Sequence, residues 1–190
     1  MCSINGFNFP NIELAKKMSF YSESRGPDKS KCLVVNDFTF SFNLLAISSL
    51  DIENSIQPLI NNKYAMLFNG EIYNCTDICK KYNIENKFKT DTEFLFNFIN
   101  IYNLEKIHEL EGMFSISIYD IQTEKLFLIR DRFGTKPLYY YFNKKNFIFS
   151  SHINSLFLNY NFQKEINHIA LQSYLRFGYS IGSQSFFKNV

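Results

Sequence analysis

The sequence predicts an α+β domain in which strands and helices form separate layers. Two observations carry this. Strand-like stretches come in blocks, at 2–9, 32–50, 64–68, 112–130 and 137–150. Helical spacing appears between and after them, at about 12–22, 75–82, 92–103, 151–158 and 167–177. Runs of β segregated from runs of α argue for layered α+β packing, not for a repeating parallel βαβ sheet. The core is ample, since 46% of the 190 residues are hydrophobic and 18% aromatic. With 22 Phe, 12 Tyr and no Trp, Phe does much of the packing usually left to Leu and Val.

The elements follow in order. Residues 2–9 read as a buried strand ending at Pro10. Asn11 caps a helix whose Leu14, Met18 and Tyr21 share a face. Ser24–Asp28 is a loop by composition. A strand from Cys32 turns at Asn36-Asp37 into Phe38-Thr-Phe-Ser-Phe, which alternates apolar and polar. Residues 52–63 form a loop containing Gln57-Pro58-Leu59. Tyr64–Phe68 is a short strand, followed by Asn69-Gly70, a pair that most often makes a plain turn. A helix follows at about 75–82. Asp91-Thr-Glu93 caps the next, with Phe94, Leu95, Phe98, Ile101 and Tyr102 at helical spacing. Gly112–Tyr119 with Lys125–Arg130 reads as a hairpin. So does Pro137–Phe142 with Asn146–Ser150, around Asn143-Lys144-Lys145. A strand begins at Ser185 and the chain stops without giving it a partner. No internal repeat or low-complexity linker is visible.

Bulk properties narrow the function. A net charge of +2, from 20 basic and 18 acidic residues spread along the chain, excludes the clustered basic face of a nucleic-acid binder. No charged start precedes a long apolar run, so neither a signal peptide nor a membrane span is expected. Cys75-x-x-x-Cys79 lacks metal or redox spacing, and His108, His152 and His168 are scattered, so no metal site is expected. Cys32, Cys75 and Cys79 read as small buried hydrophobes, and reduced cytoplasmic thiols are the default.

Cys2 differs from the other cysteines. Removal of Met1 would leave a thiol and a free α-amino group on one residue. The thiol titrates ordinarily near 8.5 and the amine near 7.7–8.0, so such a residue carries its own base. Three polar stretches could supply the rest of a site. Asn69-Gly70 could form an oxyanion hole from a side-chain amide and an unhindered N–H. Asp91 could take a substrate ammonium, or act only as a helix cap. Arg130-Asp131-Arg132-Phe-Gly-Thr-Lys136-Pro could be functional, or a solvated loop with a local ion pair.

Eight motifs in order, spanning nearly the whole chain, give these stretches a common meaning. They are Met1-Cys-Ser-Ile4, Arg25-Gly-Pro-Asp28, Gln57-Pro-Leu59, Asn69-Gly-Glu-Ile-Tyr-Asn74, Thr90-Asp-Thr-Glu93, Gly112-Met-Phe114, Arg130-Asp-Arg-Phe-Gly-Thr-Lys-Pro-Leu-Tyr139 and Ser150-Ser151-x-x-x-Ser-Leu156. The chain resembles the glutamine amidotransferase domain of asparagine synthetase, a class II N-terminal-nucleophile amidotransferase. Cys2-Ser3, in place of the Cys-Gly start of the glucosamine-phosphate and purine-pathway enzymes, matches that branch.

The resemblance implies a four-layer αββα sandwich and hydrolysis of glutamine to glutamate and ammonia. Cys2 would attack the side-chain amide, with Asn69 and the Gly70 N–H holding the oxyanion. Gly70, Glu71 and Asp91 would bind the α-amino end. Residues after Ala46, namely Ile47, Ser48, Ser49 and Leu50, would bind through backbone groups. The Arg25–Asp28 loop would support the pocket. Residues 2–160 would be the amidotransferase domain and 161–190 its end, leading into a synthetase domain. No cofactor is implied here; ATP and Mg would belong to the synthetase half. That half, as domain or subunit, would receive the ammonia, and the resemblance admits a homodimer.

Two departures stand out. Ala46 occupies the position where the family carries an arginine for the substrate carboxylate. The Ser-Gly-Gly-x-Asp-Ser loop of the synthetase half does not occur, so the chain reads as cut short. Two other outcomes stay open on the sequence: a glutamine-impaired remnant or scaffold, and an amidase or amidotransferase for another acceptor, such as a surface polysaccharide.

Overall fold

The computed structural model describes residues 1–47, 55–159, 162–182 and 185–190. Two antiparallel sheets lie face to face with helices outside each. The first sheet has strand order β2-β3-β1-β9-β8 and the second β4-β5-β6-β7. The strands are β1 (Ser3–Phe7), β2 (Lys29–Val35), β3 (Phe38–Leu44), β4 (Leu59–Ile60), β5 (Tyr64–Ile72), β6 (Gly112–Asp120), β7 (Lys125–Arg130), β8 (Tyr139–Asn143) and β9 (Asn146–Ser150). The helices are α1 (Ile12–Tyr21), α2 (Cys75–Tyr82), α3 (Asp91–Tyr102), α4 (Ile153–Leu156) and α5 (His168–Phe177).

Three buried clusters fill the three interlayer spaces. Phe7, Leu14, Met18, Ile148 and Leu156 join α1 and α4 to the first sheet. Ile4, Phe40, Phe42, Ala65, Leu67 and Phe149 fill the space between the sheets. Met66, Phe68, Phe94, Phe98, Ile116 and Ile118 join the second sheet to α2 and α3. The period-two alternation of a strand explains the assignment. On β5, Tyr64, Met66 and Phe68 face the helices, while Ala65 and Leu67 face the other sheet. The four-layer αββα sandwich is therefore present.

The helix-facing side of the first sheet is unusually polar, and there the Ser150–Leu156 motif finds its role. Ser150 Oγ donates to Asn5 Oδ1 at 2.6 Å, and Asn5 Nδ2 donates to Ser41 Oγ at 3.0 Å. Ser151 Oγ accepts from the Ile4 N–H, and Ser155 Oγ lies 3.0 Å from Ser22 Oγ. These bonds satisfy groups that would otherwise be costly to bury, and they hold β1, the strand behind Cys2, in place.

Several expectations change. Asn11 does cap α1, accepting from the Leu14 N–H at 2.9 Å, but the buried stripe is Leu14, Ala15, Met18 and Ser19. Tyr21, in the last turn before the chain bends into the short 3-10 helix Glu23–Arg25, is exposed. On α3, Ile99 replaces Ile101 in the buried set; Ile101 lies on the solvent side of the stripe through Leu95 and Phe98. The expected helix over 151–158 shortens to α4. No strand starts at Ser185; Phe187 makes one bridge to Ile166 and packs edge-on against Phe157 at 4.7 Å between ring centroids. Most consequential, β5 runs on through Asn69 and Gly70 to Ile72. Asn69-Gly70 is not a turn.

Candidate active site

Strand periodicity aims the site. On β1 the even position Ile4 faces the other sheet, so Cys2, two residues earlier, lies on the same face and packs against that inter-sheet core. On β5 the odd positions Ala65 and Leu67 face the inter-sheet space, and Asn69 follows them. The Cys2 thiol and the Asn69 amide thus meet from opposite sheets at one end of the sandwich. A cavity of about 370 Å³ opens there, lined by Cys2, Asn69, Gly70, Glu71, Asp91 and Lys136 among others.

The backbone edge of β5 offers a second donor beside the Asn69 amide. Backbone groups of β5 alternate between the β6 side and the β4 side. The Phe68 N–H and carbonyl face the β4 side, where the Gln57 side chain takes both, at 2.5 and 3.1 Å. Ile72 faces the same side, and its N–H donates to Asp91 Oδ2 at 3.1 Å. Gly70 lies midway between them. Its N–H points to the same edge, past the end of the two-residue β4, into the cavity. No side chain fits at Gly70: a Cβ would lie 2.3 Å from the Met113 carbonyl oxygen and 2.6 Å from Phe114 Cα. Asn69 is buried, and its Nδ2 has no hydrogen-bond partner among the described residues. A buried donor without a partner is costly and rare, so this amide stands ready for an acceptor that the described residues do not provide.

Asp91 is the first residue of α3, not its cap. Thr90 caps the helix, accepting from the Glu93 N–H at 3.1 Å, and Glu93 bonds back to the Lys89 N–H. This capping box frees the Asp91 carboxylate to face the cavity. Burial pushes its titration up, against the Ile72 N–H, which favours the charged form. Glu71 stands nearby on the exposed end of β5.

On the nucleophile side, the Leu45 N–H donates to Cys2 Sγ at 3.4 Å, and Arg25 Nε donates to the Cys2 carbonyl at 3.4 Å. Burial pushes the thiol up from its ordinary value; the Leu45 N–H is the main opposing influence. Burial also pushes the Met1 amine down, with Arg25 and Lys136 acting in the same direction. Asp28 accepts from the Ala46 N–H at 2.7 Å, so the Arg25–Asp28 loop fastens the Ala46 segment, as expected of a support. Ala46 and the exposed Ile47 line the cavity. Ser48, Ser49 and Leu50 lie outside the described residues.

The charged 130–137 stretch is not a solvated loop with an ion pair. Asp131 is buried, and its oxygens accept from the N–H groups of Phe133, Thr135, Phe114 and Lys136. Burial disfavours the charge, but these backbone donors outweigh it and hold the carboxyl at about 2. Arg130 closes the other side, donating to the carbonyls of Lys136 and Gly134. The loop is a clamp that delivers Lys136 to the cavity wall. Sequence reasoning missed Lys136 and the strand-mimicking Gln57. Each sat inside a recognised motif, but nothing local told which way its side chain points.

The whole chain, residues 1–190, matches the glutamine amidotransferase domain family. It is similar to two Bacillus subtilis enzymes, asparagine synthetase [glutamine-hydrolyzing] 2, 35% identical over 161 residues, and asparagine synthetase [glutamine-hydrolyzing] 1, 36% identical over 170. The matches cover 82% and 87% of this chain but 21% and 26% of those enzymes, so the chain spans about a quarter of their length. The fold is similar to that of glutamine phosphoribosylpyrophosphate amidotransferase from Bacillus subtilis, with a TM-score of 0.66 over 87% of this chain and 45% of that one, at 14% identity. Cys2 facing Asn69 and Gly70 across one cavity is thus set in a matching fold as well as a matching sequence: the chain belongs to the glutamine amidotransferase domain family.

Proposed function

We propose that this domain hydrolyses glutamine and passes the ammonia to a synthetase domain or subunit, which amidates aspartate with Mg-ATP. The carrying observation is the unpartnered, buried Asn69 amide across the cavity from Cys2. The name borne by the Bacillus relatives supports aspartate as acceptor. The acceptor site lies in the other half, where Mg and ATP would also bind; this domain needs no cofactor.

Met1 leaves first, freeing the Cys2 α-amine. That amine takes the thiol proton as sulfur attacks the glutamine amide carbon. The carbonyl oxygen becomes an oxyanion between Asn69 Nδ2 and the Gly70 N–H. Preorganised donors at such a position are commonly worth about 10²–10³ in rate each. The amine returns the proton to the leaving nitrogen, the C–N bond breaks, and ammonia departs. Water, deprotonated by the same amine, then hydrolyses the thioester to glutamate and free thiol. Asp91 and Glu71 meet the substrate ammonium at the far end of the cavity.

The test is ammonia release from glutamine by the 190-residue chain beside Cys2→Ala, with intact mass recorded for Met1 removal. Cys2-dependent release supports the reading. A folded, Met1-free chain that releases none overturns it in favour of a glutamine-impaired remnant, the second reading, which Ala46 in the cavity wall favours.

A further inference from the structure

Lys136 is buried, with 7% of its surface exposed, and it lines the cavity beside Met1 and Cys2. Lysine is rarely buried to this extent without a charged partner. Yet among the described residues no carboxylate lies within ion-pair distance of its ammonium. Asp131, the acid nearest in the chain, uses its oxygens on backbone N–H groups, including that of Lys136 itself. Two groups fix the loop that presents it, the Asp131 carboxylate and the Arg130 guanidinium. A cation on so firmly held a loop, without a counter-charge among the described residues, faces the cavity for a reason.

We propose that Lys136 is a positioning residue that serves the N-terminal nucleophile as its resident cation. The proposal rests on the glutaminase reading above and deepens it. The charges around the nucleophile support it. From the turn after α1 comes Arg25, bonded to the Cys2 carbonyl. From the same loop comes Asp28, engaged with the Ala46 N–H. His152, ahead of α4, is itself held toward its neutral form, by burial first and then by Arg25. Across the cavity stand Glu71 and Asp91, with Lys89 on their rim. Arg25 acts on the nucleophile from behind the Cys2 carbonyl, whereas Lys136 is the cation that lines the cavity beside Cys2 among the described residues. A positive charge there favours thiolate over thiol and free amine over ammonium, the two forms that attack and proton transfer require. Thiol and amine share one residue, so they titrate as a coupled pair, and loss of the cation moves both macroscopic steps upward.

The test uses the Met1-free chain and its Lys136→Met and Lys136→Arg variants. The rate of Cys2 alkylation by iodoacetamide is followed against pH by peptide mass. The reagent is neutral, so Lys136 does not steer it. Cys75, pushed up to about 12 by burial, is a slow internal background. Lys136→Met should shift the Cys2 profile upward by about one unit, making alkylation near neutrality roughly tenfold slower. Lys136→Arg should restore most of the rate, and the acid limb of glutaminase kcat/KM should move with the alkylation profile. An unchanged alkylation profile in folded Lys136→Met overturns the proposal; a raised glutamine KM beside it would mean that Lys136 serves the substrate carboxylate instead. If Lys136→Met does not fold, Lys136→Gln takes its place. Alkylation needs no turnover, so a chain that releases no ammonia still answers the question.

Discussion

The two ends of the cavity are built differently. At one end, Asn69 and Gly70 lie on β5 and Cys2 directly precedes β1, inner strands of the two sheets, where strand pairing holds the backbone. At the amino-acid end, Asp91 and Glu71 sit on a helix start and a strand end, and Ala46 leaves one wall without a cation. At the first end the fold itself demands Gly70, where no Cβ fits. The second holds charges by loops and caps, which tolerate substitution, and there Ala46 stands where the family resemblance leads us to expect an arginine.

Substitutions can break this contrast. Gly70→Ala should have the largest effect, because the added methyl meets the Met113 and Phe114 backbone. We expect loss of glutaminase together with a clear fall in melting temperature, read by thermal denaturation. Asn69→Ala should separate the two roles. Ammonia release should fall about 10²–10³-fold in kcat, while the melting temperature holds, since the substitution removes a buried donor that lacks a partner. A large loss of stability would mean that Asn69 is structural.

At the other end, Asp91→Asn should raise the glutamine KM by roughly one to two decades, the worth of a charge-assisted contact of about 1.5–3 kcal/mol. Stability should hold or rise at neutral pH. Burial raises the titration of Asp91, so its charged form strains the folded state as pH climbs, and Asn relieves that. Ala46→Arg should act in the opposite direction and lower the glutamine KM by about tenfold or more; an unchanged KM would show that the wall is complete without it.

The last effect is confined to acid pH and concerns the clamp behind Lys136. Asp131 titrates at about 2, below its ordinary 3.8. Its stabilisation is therefore present above pH 4 and is lost as pH falls from there toward 2. The shift corresponds to about 2–2.5 kcal/mol, so Asp131→Asn should flatten the acid arm of a denaturation series over that window.

Much of this was legible in the residues. Alternation in 38–42, the cap at Asn11, and the turns at Asn36 and Lys144 are local properties, and they placed these hairpins and the first helix nearly where they lie. The same locality misled at Asn69-Gly70. A dipeptide favoured in turns was held extended by nine residue pairs with β6, because ladder bonds outweigh a local preference. Tyr21 and Ile101 failed similarly: a helical stripe says which residues share a face, not where along the helix the neighbouring sheet ends.

The sequence by itself determined the layered class, the order of its elements and the choice of Cys2 as the candidate nucleophile, because backbone preference and side-chain chemistry are written residue by residue. Only the tertiary structure decided that the Gln57 side chain extends a two-residue strand, that this leaves the Gly70 N–H open, and that Asp131 turns Lys136 into the cavity. Each of these joins groups far apart in the chain or directs a side chain by its surroundings, and no local pattern encodes such a direction.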